Sequence, residues 1–340
     1  MPPPAISATR WRRWERRRDG PDSMIGFVAR RVFESLIVLA VMSAVIYGLI
    51  GLMPGDPIDV LVMSNPNLGP EDAARLKALL QLDQPIYARY LAWLTQALQG
   101  DFGFSRIHAR PVLDVLEPRL VATLWLMGAS FVLSLLIAIP AGVLAAVRPY
   151  STTDYAVNVF CFAGISVPPF WLALLLIMLF SVTLGWLPAG GVPTAANAGA
   201  WAQIRYMILP VLTLTLLSVA GFTRYVRAEM IEVLRQDYIR TARAKGAGAA
   251  RVVWRHALRN ALIPVVTVIA LSFGALFSGA LITETMFAYP GMGKLIYDAI
   301  MGNDYNLALV GLLFATGVIL IANLLADLAY GWLDPRITYR

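Results

Sequence analysis

Few residues in this chain have the types and spacing that catalytic or metal chemistry requires. The single cysteine, Cys161, lies in an apolar run without a second thiol, so neither an intramolecular disulfide nor a cysteine-based metal site can form. The two histidines, His108 and His256, are far apart in the sequence and do not form a metal pair. The sequence therefore predicts no metal site and no cofactor bound by the chain itself.

The segment Tyr289–Lys294, which reads YPGMGK, superficially resembles a phosphate-binding loop. The pattern G-x-x-x-x-G-K-[ST] needs an earlier glycine that is missing here, and Leu295 replaces the hydroxyl that would bind Mg²⁺. The chain thus has no visible ATPase site, and we expect a protein that is not an enzyme. If ATP–Mg supplies energy, a partner subunit must use it.

The amino-acid composition indicates the environment in which the chain lies. Apolar residues make up 58% of the 340 residues and charged residues only 14%, whereas a soluble domain carries about 25% charged residues. The mean hydropathy is +0.65. The net charge of +7 could suit nucleic acid, but the arginines cluster beside apolar runs, as membrane topology requires. The chain is predicted to be a membrane protein that contacts lipid and binds no nucleic acid.

Six apolar runs form one continuous series, which favours a single membrane domain over the two units that length alone suggests. Most exceed the ~20 residues that a helix needs to cross a bilayer. The pair Arg30-Arg31 resembles a twin-arginine export signal, but the run behind it is too long and lacks a cleavage site. The predicted fold is an all-α polytopic membrane protein with six transmembrane helices: Val32–Met53, Leu120–Val147, Tyr155–Leu187, Tyr206–Thr223, Asn260–Thr283 and Tyr305–Ala326.

Positive charge predicts the orientation of these spans. Residues 1–31 carry eight arginines against three acids, and 224–259 carries eight arginines and one lysine against three acids. The segment 54–118 instead carries five basic residues against eight acidic ones. Because positive loops stay inside, both termini and the loop 224–263 are predicted to be cytoplasmic, and 54–118 to be external. Residues 1–23 are predicted to form a disordered basic tail before the membrane domain 24–340.

The external segment 54–118 is predicted to contain helices of its own. Gly69-Pro70-Glu71-Asp72 is a good helix start, with proline at the first position and two acids near the positive end of the dipole. Pro85–Gln99 indicates a second helix that Gly100 ends. A small external helical cap is the expected result.

The polar segment Arg224–Pro264 lies between two apolar runs and has to protrude from the membrane. Within it, Arg227–Lys245 is predicted to form one amphipathic helix, because Met230, Leu234 and Tyr238 recur at every fourth position. The sequence Gly246-Ala247-Gly248 then breaks the helix before a second one begins at Ala249. Small residues at this tip suit close packing in a groove on another protein. The alternative is a solvated basic loop that only sets topology.

This segment resembles the coupling loop of bacterial ABC-importer permeases, dipeptide and oligopeptide branch. The matching run is Asp237-Tyr238-Ile239-Arg240-Thr241-Ala242-Arg243-Ala244-Lys245-Gly246, continued by His256-Ala257-Leu258-Arg259-Asn260-Ala261-Leu262-Ile263-Pro264. Further matching motifs are Pro54-Gly55-Asp56-Pro57, Gly100-Asp101-Phe102-Gly103-Phe104-Ser105, Glu284-Thr285-Met286-Phe287, Tyr289-Pro290-Gly291-Met292-Gly293 and Asp334-Pro335-Arg336. The resemblance covers nearly all of the chain from Met24.

The match departs from the wider permease pattern in an informative way. That pattern begins Glu-Ala-Ala and has a glycine four residues after the second alanine. Here Ala242 and Gly246 match the second alanine and the glycine, whereas Arg240 and Thr241 replace the first two residues. The Leu-Pro pair that often ends the motif is also absent at its usual distance. The peptide branch itself shows this departure, so it favours that branch.

The resemblance implies both a role and a set of partners. The chain would be one permease subunit of a bacterial inner-membrane importer, paired with a second similar permease, two cytoplasmic ATPase subunits that use ATP–Mg, and an external substrate-binding protein. The substrate would be a dipeptide or oligopeptide; close relatives carry glutathione, nickel chelates or oligosaccharides. The residues implied to couple to the ATPases are Asp237, Tyr238, Arg240, Thr241, Ala242, Arg243, Ala244, Lys245 and Gly246.

Two rival functions are a secondary carrier or channel and a membrane scaffold that docks partners on the basic loop. No predicted span carries a charged residue near its middle, which argues against a proton- or sodium-driven carrier. Glu284 and Asp327 lie at span ends, where interfacial anchoring is expected. Polar residues that could line a pathway, or simply pack between helices, are Tyr47, Asn158, Ser166, Ser181, Thr213, Ser218, Ser272 and Ser278.

Overall fold

The computed structural model describes residues 22–52, 75, 84–193 and 199–333. Nearly all of the predicted tail 1–23 lies outside these residues. So do the predicted helix start at 69–72 and the motifs at 54–57 and 334–336.

The described chain is helical almost throughout, which confirms the all-α prediction. The helices are α1 (Asp22–Gly51), α2 (Ile86–Leu98), α3 (Val112–Val147), α4 (Thr152–Ser166), α5 (Pro169–Leu176), α6 (Ala200–Leu234), α7 (Asp237–Ala244), α8 (Ala249–Arg251), α9 (Leu258–Met286), α10 (Met292–Met301) and α11 (Tyr305–Leu333). Two π-helical segments, Ile177–Thr183 after α5 and Val252–Ala257 before α9, extend the helical path. The strands β1 (Phe104–Ser105) and β2 (Arg110–Pro111) form one antiparallel pair.

Four helices of the described chain are long and apolar enough to cross a membrane: α1, α3, α6 and α11. The bent pair formed by α4 and α5 with its π-helical extension makes a fifth candidate. The predicted span Asn260–Thr283 lies within α9, which is helical over its 29 residues. The count of six spans stays a prediction.

The bend between α4 and α5 measures 105° and lies at Pro168 and Pro169. Pro168 and Pro169 have no N–H to donate, and Pro168 adopts an extended conformation with ψ 139°, so the helical hydrogen bonds stop there. The pair nevertheless runs along the whole of α6. Arg227 near one end of α6 binds Asp154, and Arg205, 22 positions earlier, donates to the carbonyl oxygen of Trp186 at 2.7 Å. That interval corresponds to about 33 Å of helix.

Small residues let the central helices approach closely. A Cβ placed on Gly142 of α3 would lie 2.7 Å from the Cβ of Val226 on α6, so only glycine fits. Further along the same contact, the Ser134 hydroxyl is 3.4 Å from the Thr215 carbonyl oxygen across the two helices. Such contacts are typical of helices that pack in a membrane, where van der Waals fit replaces the hydrophobic effect.

The first helix packs mainly against the last. Ile46 of α1 is buried with Leu309 and Leu313 of α11, and Arg31 Nε lies 3.1 Å from a carboxylate oxygen of Asp327. Glu34 pairs with Arg30 at 2.9 Å. At the other end of α1, an aromatic cluster of Tyr47 with Tyr90 and Trp93 attaches α2, the external helix that the sequence predicts.

Candidate functional site

The predicted coupling segment forms two helices rather than one. Helix α6 ends at Leu234, Gln236 is extended with ψ 149°, and α7 begins at Asp237. The prediction of one continuous helix over Arg227–Lys245 is therefore wrong. The reason is geometric: nine residues at 100° each would place Ile239 on the face opposite Met230, whereas both side chains are fully buried. The break at Gln236 turns Ile239 back towards the body of the protein.

Ile239 is the one buried residue of α7. It belongs to an apolar cluster with Val226 and Met230 of α6 and with Val252 and Ala257 of the second π-helical segment. The four-residue repeat predicts Tyr238 on the apolar face instead, yet Tyr238 is 43% exposed. Ile239 is the only branched aliphatic residue in DYIRTARA, and this is the signal that could have identified it.

Gly246 ends α7 in the way that the sequence predicts. Its φ of +82° is left-handed, its N–H donates to the Arg243 carbonyl at 2.9 Å, and the next N–H, of Ala247, donates to Ala242 at 3.1 Å. These two bonds form a Schellman motif, which satisfies carbonyls that the helix end would leave unpaired. After this motif the chain continues through Gly248, which has an extended backbone and is the N-cap residue of α8.

The remaining residues of the predicted site form an exposed and mostly basic surface. Asp237 in the first turn and Arg243 in the last turn match the helix dipole. Asp237 and Arg240 form an ion pair at 3.4 Å, with both side chains well exposed. Ala242 is half-buried, and the other exposed site residues are Tyr238, Thr241, Ala244 and Lys245. The helix is thus fixed by one side chain and leaves nearly all of its surface for a partner.

We expect Gly246→Val to weaken the function of this loop more than Gly248→Val does. Valine disfavours the left-handed φ of Gly246, at a cost of about 1–2 kcal/mol, whereas the φ of −62° at Gly248 suits any residue. A Cβ would meet no atom within 4 Å at either glycine, so the pair differs in backbone conformation alone. Substrate-stimulated ATPase activity and co-purification of the ATPase subunits measure the effect. Equal values for the two variants would contradict it.

A second organised region lies at the opposite end of α6. The Glu284 carboxylate accepts a hydrogen bond from the Thr123 hydroxyl at 2.6 Å and one from the Lys294 N–H at 3.1 Å. Thr123 in turn accepts from the Met292 N–H at 2.8 Å. Glu284 is fully buried, so its prediction as an interfacial anchor is wrong. The carboxylate holds the first turn of α10, because the Lys294 N–H in that turn donates to it.

Gly291 of the loop between α9 and α10 and Gly190, which lies before α6, are both required by close contact. A Cβ on Gly291 would overlap the Glu284 carboxyl group, and one on Gly190 would overlap the carbonyl of Phe287. Burial, and secondarily the nearby Glu284, raises the pKa of Tyr289, so its phenol stays protonated and donates to the Ala122 carbonyl at 3.3 Å. These contacts explain physically why the YPGMG segment needs its residue types.

Another buried carboxylate, that of Asp304, fixes the β1–β2 hairpin to α11. Asp304 accepts from the Ser105 hydroxyl at 2.6 Å and from the Ile107 N–H at 3.0 Å, and also from the Leu307 N–H at 3.3 Å in the first turn of α11. Gly103, with φ +79°, lies so close to Asn306 that an added Cβ would come within 2.9 Å of the amide nitrogen. The Gly100–Ser105 motif therefore makes a compact attachment to the start of α11.

The polar residues considered for a pathway are mostly bonded within their own helices. The hydroxyls of Ser166, Thr213, Ser218 and Ser272 each donate to the carbonyl four residues earlier. Asn158 donates to Asp154, and Tyr47 belongs to the aromatic cluster at α2. The Ser181 hydroxyl oxygen is buried, and the side chain of Ser278 is outside the described set. These bonds favour a packing role for the four hydroxyl residues. Across 22–52, 84–193 and 199–333, no group of three His, Cys, Asp or Glu side chains could hold a metal ion.

Comparison with known families gives two matches that together span most of the chain. Residues 138–339 match the binding-protein-dependent transport system inner membrane component, and residues 24–127 match the N-terminal region of such membrane components. Both family regions therefore begin at or after Met24.

Individual relatives match over their full length. The oligopeptide transport system permease protein AppB of Bacillus subtilis (strain 168) is 40% identical over 318 residues, which cover 93% of this chain and all of that protein. The glutathione transport system permease protein GsiC of Escherichia coli (strain K12) is 37% identical over 321 residues, with the same coverage.

Among solved structures, an inward-facing conformation of the MetNI methionine ABC transporter superposes with a TM-score of 0.52 at 20% identity. The superposition covers 65% of this chain and 97% of that one. At this identity the likeness concerns the fold alone.

Proposed function

The chain belongs to the family of binding-protein-dependent transport system inner membrane components, and from this premise we propose that it is one permease subunit of an ATP-driven importer of dipeptides or oligopeptides. The observation that carries the proposal is the 40% identity to an oligopeptide permease along that protein's whole length. The proposal places the chain in the inner membrane as a multi-pass protein with both termini in the cytoplasm.

The coupling role of α7 rests on its geometry. A short basic helix that is held by Ile239 alone and is otherwise exposed suits insertion into a groove on an ATPase subunit. Closure of two ATPase subunits around ATP–Mg would push α7, and the buried cluster would pass the displacement to α6 and α9. A second permease subunit would complete the pathway.

The opposite end of the molecule suits an external partner. The β1–β2 hairpin and the Glu284 loop present a rigid surface there, and α2 lies beside it. We propose that the predicted external segment 54–118, which contains the β1–β2 hairpin and α2, contacts a substrate-binding protein or caps the pathway at this end. Deletion of α2 that left both uptake and docking intact would refute this assignment.

Reconstitution tests the main proposal. Liposomes that contain the chain, its permease partner and the ATPase subunits should accumulate a radiolabelled dipeptide or oligopeptide only when ATP and the binding protein are both supplied. Liposomes with the chain alone should accumulate none. Solute movement by the chain alone without ATP would instead establish a carrier or channel, and partner binding without any solute movement would favour a scaffold.

Glutathione is the second candidate substrate, because GsiC is 37% identical over its full length. Glutathione is itself a tripeptide, so a pathway for short peptides fits both substrates. Competition between unlabelled glutathione and the labelled peptide in the same liposomes distinguishes the candidates.

A further inference from the structure

A buried ion pair joins α4 to α6 close to the coupling helix. Arg227 donates from Nε and Nη2 to the two carboxylate oxygens of Asp154, at 2.6 Å each. Asp154 is only 2% exposed and lies in the first turn of α4, whereas Arg227 lies seven residues before the end of α6 at Leu234. Neither residue belongs to the motifs that carry the family resemblance.

The carboxylate of Asp154 is fully engaged. Besides the two bonds from Arg227, it accepts from the Tyr150 N–H at 2.8 Å and from the Asn158 amide at 2.7 Å. A planar guanidinium that binds both oxygens fixes orientation as well as distance, unlike a single-point contact. The pair therefore resists rotation of α4 relative to α6 as well as separation.

The Arg227–Asp154 pair lies next to the apolar cluster that holds α7. Arg227 follows directly on Val226, which packs in the same cluster as Ile239. A Cβ on Gly164 of α4 would lie 3.1 Å from the Cβ of Ala220, so α4 and α6 are in close contact beyond the pair as well. At its far end α4 meets the proline bend, where helical hydrogen bonding stops. Helix α4 is thus attached to α6 along its length and is joined to α5 at the proline bend, where the helical hydrogen bonds stop.

We propose that the Arg227–Asp154 pair is a brace that makes α4 move with α6 when α7 is displaced, so that the Pro168–Pro169 bend acts as the hinge. This inference rests on the proposed function. Asp154 and Arg227 are positioning residues, since they contact neither substrate nor nucleotide. Without the brace, movement of α7 reaches α6 but is lost before α4.

The experiment measures transport per ATP hydrolysed in the reconstituted complete importer. Asp154→Asn keeps the size of the side chain and removes its charge. We expect the ATPase subunits to remain bound and active, while peptide imported per ATP falls about five- to tenfold, at the low end of the effects that coupling free energies produce. The matched control is Asp327→Asn, which removes another Asp–Arg pair between helices, at α1 and α11, and should leave the ratio unchanged.

Two results overturn the brace: an unchanged ratio for Asp154→Asn, or an equal fall for Asp327→Asn. If Asp154→Asn does not assemble, Arg227→Lys decides, because lysine keeps the charge beside Asp154 but cannot make the two-point contact. A lowered ratio in an assembled Arg227→Lys importer supports the brace, and a normal ratio refutes it. A wild-type importer without ATP-dependent uptake would refute the proposed function itself, which separates the two failures.

Discussion

We expect Ile239→Asp to abolish ATP-dependent uptake and to release the ATPase subunits from the membrane complex. Ile239 is fully buried and is the sole apolar anchor of α7. Truncation of a buried isoleucine to alanine already costs about 2–5 kcal/mol, and a carboxylate at the same place adds the cost of burying an unpaired charge. The helix would leave the cluster rather than accept that cost. Peptide uptake into liposomes and retention of the ATPase subunits on affinity resin measure the outcome.

Two further substitutions make this result specific. Gln236→Asp introduces the same charge three positions earlier, on an exposed side chain at the N-cap of α7 where aspartate is favoured, and should retain the ATPase subunits. Ile239→Val keeps the apolar contact at a cost of about 0.5–1.5 kcal/mol and should retain uptake. Normal uptake by Ile239→Asp would show that α7 does not need its anchor, and the proposed transmission through the cluster would then be wrong.

Gly291→Ala is the second substitution with a large expected effect, and it acts at the other end of the molecule. The added Cβ would overlap the Glu284 carboxyl group, which is fully buried between α9, Thr123 and the loop. Either the loop or the carboxylate has to move. Overpacking costs about 1–3 kcal/mol, and each buried hydrogen-bonding group left unpaired costs about 1–3 kcal/mol more. A fall of roughly 5–10 °C in the thermal midpoint of the detergent-solubilised protein is the expected result.

Gly317→Ala in α11 provides the control for this measurement. A Cβ there would meet no atom within 4 Å, and the backbone is helical, so the midpoint should stay the same or rise slightly. If Gly291→Ala and Gly317→Ala unfolded at the same temperature, the loop would not be held as tightly as its contacts indicate.

The sequence was sufficient for those features that depend on local chemistry. The apolar runs follow from transfer free energy, the proline bend from the missing N–H of proline, and the end of α7 at Gly246 from a left-handed φ. Each of these properties belongs to one residue or one short run. The external helix Pro85–Gln99 was likewise found within one residue at each end, as α2. Its periodicity and the glycine after it are both local signals.

The features that the sequence did not predict depend on contacts between distant segments. Ile239 was missed because its burial depends on a change of direction at Gln236, which the helical repeat alone does not reveal. Glu284 was assigned to an interface because its partners Thr123 and Lys294 lie on other elements. Asp154 and Arg227, 73 positions apart, could not be paired from spacing. An ionisable residue at the end of a span can be exposed at the interface, form an ion pair or be buried, and only the tertiary structure shows which of these occurs.

The packing of α1 on α11 has a consequence for how the protein is made. Arg31 and its partner Asp327 are 296 positions apart, so at the ~5–20 residues per second of translation the partner emerges about 15–60 s later. During that interval the first helix lies in the bilayer with the face around Ile46 covered by lipid tails rather than by protein. The order of synthesis therefore makes the closure of α1 against α11 one of the last events in assembly, and a ribosome that stops before Leu309 leaves the first helix without its main partner.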